Sequence, residues 1–113
     1  MMGIISNIKK GFFMNLFTKY KNIQNEEIFE TILTHKEVEI KKIISPANFE
    51  SEEFKQDIDE IVFIIDGFAK LEIENEIIYL KKGENIFIPK NVKHRILDTS
   101  KEPLCIWLGV YIK

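Results

Sequence analysis

Residues 60–98 read EIVFIIDGFAKLEIENEIIYLKKGENIFIPKNVKHRILD, and this stretch decides the fold. Ala69, Leu71 and Ile73 alternate with Lys70, Glu72 and Glu74. A period of two puts the apolar set on one face of a strand and the charged set on the other. Ile61–Ile65 is continuously apolar, the pattern of a strand covered on both faces. Turn residues punctuate the runs at Asp66-Gly67, Lys82-Gly83 and Pro89-Lys90-Asn91. Asn75-Glu76 also reads as a turn, but a two-residue hairpin needs positive φ at both centres, and Glu resists it. A wider loop is expected there.

Outward from this stretch the same texture continues. Strands are expected at Ile28–Leu33, Val38–Ser45, Glu60–Ile65, Phe68–Glu74, Ile77–Leu80, Asn85–Ile88, His94–Leu97 and Leu104–Tyr111. After residue 27 no segment keeps a 3.6-residue apolar period, and β-branched residues dominate. The fold class is therefore all-β, a sandwich or barrel of short strands.

The 113 residues amount to one domain. With 45% apolar and 30% charged residues the chain is globular, and its net charge of −2 lacks the basic excess of a nucleic-acid binder. Cys105, the single cysteine, excludes an intrachain disulfide and cysteine-built zinc sites. His35 and His94 are the only histidines, so no His-rich metal cage can form. No apolar run reaches the roughly 18 residues that would span a bilayer. Residues 1–25 hold Lys9, Lys10, Lys19 and Lys21 but no acid. Lys9 and Lys10 interrupt the apolar residues that a secretory signal would keep together. The segment reads as a leader ahead of a domain at 26–113, with Met14 an alternative start. The expected location is cytoplasmic, without membrane contact.

Residues 56–98 resemble the cupin superfamily. Gly83, Pro89 and His94 keep the spacing of its second motif, with Asn91 in a glycine position and Asp98 in an asparagine position. Asn91 is a mild change, because Asn tolerates the left-handed conformation. Glu60 and Gly67 match the second half of the first motif. The chain is similar to short stand-alone bacterial cupins, which implies a jelly-roll β-barrel, commonly a homodimer, with its site in the barrel mouth. In the family pattern two His precede the Glu. Here those positions hold Phe54 and Gln56, or in the other register Glu53 and Lys55, so the usual three-His, one-Glu metal site is lost.

What the resemblance leaves is Gln56, Glu60 and His94 pointing into one barrel. An amide oxygen, a carboxylate and an imidazole can hold a polar ligand, or a divalent metal ion weakly, since the amide brings no charge. Glu60 and His94 could equally serve as general acid and base, or simply hydrogen-bond each other. Three functions stay open: a small-molecule-binding cupin, a metal-dependent isomerase or dioxygenase, and a silent dimer acting by protein contact. Asp57 and Asp59 read as a solvated loop, and His35 as an exposed turn residue. Arg95 falls on the face opposite His94. Cys105 reads as a small core residue. Phe54, Tyr79 and Phe87 are candidate pocket walls, and Trp107 and Tyr111 share one strand face of undetermined role.

Overall fold

The structure is a computed structural model that describes residues 13–18 and 23–113. Eight strands follow in order: β1 Ile28–His35, β2 Val38–Ile44, β3 Asp59–Asp66, β4 Phe68–Ile73, β5 Glu76–Lys81, β6 Asn85–Ile88, β7 His94–Thr99 and β8 Ile106–Ile112. No helix occurs among the described residues. The strands form a five-stranded sheet, β1-β2-β8-β3-β6, and a three-stranded sheet, β5-β4-β7, every neighbour antiparallel. The strand pattern predicts an all-β sandwich or barrel and the family resemblance implies a jelly roll, and the two sheets form that jelly-roll barrel.

Alternation builds the core. Ile43, Val62, Ile64 and Trp107 face inward from the large sheet, and Ala69, Leu71, Leu80 and Ile96 face them from the small one. Cys105 joins this cluster with no exposed surface. Burial pushes its thiol pKa far up, helped by the charges of Glu27 and Asp66, so it is an inert core residue.

Two turns and one strand start depart from the sequence reading. The β4–β5 hairpin closes on Ile73 opposite Glu76, so its two central residues are Glu74 and Asn75, with φ of 47° and 69°. The turn is tight, not wide, and Glu74 carries the left-handed conformation. Strand β1 extends through His35 because pairing with β2 persists to Val38, and Lys36 (φ 55°) makes the turn. Asp59 is the first residue of β3 and its carboxylate accepts from the Lys90 amide at 2.9 Å, whereas Asp57 is exposed. Gly67 (φ 74°) is required: a Cβ there would stand 2.2 Å from Ser100 Oγ. Asn91 adopts a φ of 66°.

The leader reading falls largely outside the described residues: 1–12, with Met1, Lys9 and Lys10, and 19–22, with Lys19 and Lys21. The described part, 13–18, touches the barrel. Lys42, with no exposed surface, donates its ammonium to the carbonyls of Asn15 and Thr18 and lies 3.7 Å from Glu30.

Candidate functional site

A cavity of about 130 Å³ opens at one end of the barrel, between the two sheets. Gln56, Glu60 and His94 all line it. Glu60 is the second residue of β3, in register with Tyr111 on β8 and Ile88 on β6, which also line the cavity. The turn at Asn91 delivers the chain to His94, the first residue of β7. The loop before β3 runs alongside β7: Phe54 and His94 exchange backbone hydrogen bonds of 2.9 and 3.0 Å, and the Asn91 amide donates to the Gln56 carbonyl at 2.6 Å. This strapping brings Phe54 and Gln56 beside the histidine, although neither lies in a regular strand.

His94 is oriented from both sides. Its Nδ1–H donates to the Val92 carbonyl at 2.9 Å, since a carbonyl can only accept. Nε2 therefore faces Glu60 Oε1, at 3.3 Å. A neutral imidazole with its proton on Nδ1 would present a lone pair to a carboxylate, so the contact is favourable when the pair shares a further proton. Burial lowers the His94 pKa, but the Glu60 carboxylate and the Val92 carbonyl outweigh it, and the net shift is upward from 6.5. The Phe54 ring packs edge-on against the imidazole, 4.4 Å between centroids. The Tyr111 hydroxyl pKa is raised by burial and by the Glu60, Glu27 and Glu39 charges; the hydroxyl hydrogen-bonds Glu60.

Two features stand out on the other walls. Gln56 Oε1 is buried without a hydrogen-bond partner. Glu27, just before β1, sits at the end of a chain in which Trp107 Nε1 donates to Ser45 Oγ at 2.8 Å and Ser45 Oγ donates to Glu27 at 2.6 Å. Burial raises the Glu27 pKa, and the Ser45 bond opposes the shift only in part. Motif spacing could not find Glu27. It reaches the cavity because β1 pairs with β2, and a partner across a sheet leaves no signature in linear sequence.

Among the other candidates, Phe54, Trp107 and Tyr111 line the cavity. Tyr79 and Phe87 do not: both lie on outer sheet faces, 65% and 53% exposed, because their strand parity is opposite to that of the cavity residues. Arg95 pairs with Glu72 at 2.8 Å on the outer face of the small sheet. His35 is exposed at the far end of β1.

The family pattern matches this geometry. A family model described as "Cupin domain" matches residues 43–111. The chain belongs to the cupin family. An uncharacterized protein of Methanocaldococcus jannaschii, MJ1618, is 35% identical over 48 residues, which span 42% of this chain and 38% of that protein. Among solved structures, a Ralstonia eutropha protein provisionally named a mannose-6-phosphate isomerase superposes with a TM-score of 0.78 at 27% identity, covering 88% of this cupin and 96% of that chain. KdgF from a Halomonas species gives 0.74 at 14% identity, over 90% and 92%. An RmlC-like cupin from Shewanella frigidimarina gives 0.74 at 16%, over 90% and 89%. The last two likenesses carry the fold alone.

Cupins often bind a metal, and the donors here can be tested for one. No group of three or more His, Cys, Asp or Glu is placed to hold an ion among the described residues. His94 and Glu60 are two strong donors, and Gln56 adds only a neutral oxygen. Phe54 occupies a ligand position of the family pattern with an apolar ring that covers the imidazole. This set does not fit a tightly held metal centre. No helix long and apolar enough to cross a membrane occurs among the described residues.

Proposed function

We propose that this cupin binds a small organic molecule in the barrel mouth, against Gln56, Glu60 and His94. One observation carries the reading: an apolar-walled cavity of about 130 Å³ has a buried amide oxygen, Gln56 Oε1, aimed at no protein partner. A buried acceptor left unmade costs free energy, and a ligand donor or a water would recover it. A cavity near 150 Å³ is known to hold a benzene-sized molecule, which sets the size class. Glu60 and His94 would fix the ligand's polar group, and their shared proton is available for acid–base exchange at Nε2 and Oε1.

The metal-dependent isomerase or dioxygenase reading has the donor set against it. A phosphosugar also lacks support, because no Lys or Arg lines the cavity and a phosphate needs such a partner. The test is a fragment screen covering neutral, cationic and anionic compounds, read by amide NMR shifts of the cavity residues. His94→Ala should keep the fold and lose the shifts. If no class of fragment moves the cavity amides, the binding reading falls. Elemental analysis of the tag-free protein alongside Glu60→Ala and His94→Ala should find metal well below one equivalent in all three. Near-stoichiometric metal lost in both variants would restore the metalloenzyme reading.

A further inference from the structure

The cavity's charge and ring content are lopsided. Two carboxylates, Glu27 and Glu60, line it against at most one positive charge, that of His94. Glu60 already has His94 and Tyr111 beside it. Glu27 has the Ser45 hydroxyl as its one hydrogen-bond donor among the described residues, and no basic side chain of theirs pairs with it. Four aromatic residues, Phe29, Phe54, Trp107 and Tyr111, share the walls. Ring faces attract cations, more strongly where water is excluded. Two of these rings already do so: Lys41 Nζ stands 5.9 Å from the Phe29 centroid and 5.6 Å from that of Tyr111.

We propose that the cavity takes a small organic ammonium ion, its cationic head set among these rings and the carboxylate of Glu27, with a hydrogen-bond donor of the ligand meeting Gln56 Oε1. The inference rests on the reading of this cavity as a ligand site and adds the ligand's charge and size. Carboxylates and rings together lower the energy of a positive head that cannot donate many hydrogen bonds. The same surroundings disfavour an anion, since Glu27 has no basic partner among the described residues and Glu60 already holds His94. The cavity volume admits about six to eight non-hydrogen atoms by comparison with a benzene-holding cavity.

The experiment uses three probes of one shape: choline, its uncharged analogue 3,3-dimethylbutan-1-ol, and the anion 3,3-dimethylbutanoate. Each is titrated into the full chain and followed by amide NMR shifts at the cavity. Choline should saturate the shifts at a concentration about tenfold or more below the alcohol, the size of a cation–π contact with charge pairing. The carboxylate should leave them unmoved. Glu27→Gln should weaken choline several-fold more than it weakens the alcohol, with the rings keeping part of the preference, and an unchanged amide spectrum outside the cavity shows that the variant is folded. Gln56→Leu should weaken choline but not tetramethylammonium, which has no hydroxyl to donate. If the alcohol matches choline, or the carboxylate binds best, the ammonium assignment is overturned and the binding reading stands. If none of the three shifts the cavity while other fragments do, the assignment is likewise overturned. Failure of every fragment overturns both.

Discussion

Glu74 and Asn75 hold positive φ at the two centres of the β4–β5 turn, a conformation that costs a glutamate of order 1 kcal/mol. Replacing the pair with Asn-Gly supplies the residues this turn prefers. The double variant should gain about 1 kcal/mol, seen as a higher urea midpoint with an unchanged m-value. His94 makes a second prediction. Its folded pKa is raised, so the folded state holds the proton more tightly than the unfolded chain does. The contribution to stability is fully present below the unfolded value near 6.5 and is lost as pH rises through the higher folded value. NMR titration of the imidazole in chelator-treated protein should place its midpoint above 6.5. Glu60→Gln should lower that midpoint. An unchanged midpoint would mean that the 3.3 Å contact does not hold the proton. Cys105, fully buried, should react with a thiol reagent only at the rate of unfolding.

At the scale of elements, the described leader residues belong to the packing of the large sheet. Lys42 on β2 is a buried ammonium satisfied by two carbonyls from residues 13–18 and by nearby Glu30. Hydrogen bonds to a charged group are worth about 1.5–3 kcal/mol, so Lys42→Ala should cost about 2 kcal/mol or more. It should also release residues 13–18 to protease. Thermal unfolding and limited proteolysis check the two effects, and unchanged values in both would show that the contact contributes nothing. The strap along β7 works in the same way for the site, since paired backbone bonds between Phe54 and His94 set the distance from Gln56 to the imidazole.

For the whole molecule, the expected state is a homodimer. Leu33, Ile40, Val110, Ile61 and Phe87 stand in register across all five strands of the large sheet, on the face away from the cavity. Leu33 and Phe87 are 44% and 53% exposed. Such a row suits a two-fold interface in which one patch meets its own copy. Light scattering should report a dimer, and Val110→Glu should return a monomer with the cavity intact; a wild-type monomer at high concentration would overturn the expectation. Much of this architecture was legible in the chain alone. Period-two alternation in residues 68–74 and the glycine and Asn91 turns determined an all-β fold, because strand and turn preferences act within a few residues, and the resemblance carried by the spacing from Gly83 to His94 implied the cupin barrel. That spacing pointed to His94, and the spacing from Glu60 to Gly67 pointed to Glu60. Tertiary structure alone decided the rest. Whether Trp107 and Tyr111 lined the pocket or a dimer interface, why Tyr79 and Phe87 face outward, and the arrival of Glu27 from the start of β1 all depend on strand order and register. A one-residue change of register reverses a whole strand, and the contacts of Glu27 with Ser45 and of Glu60 with Tyr111 belong to the folded chain, where no local pattern records them.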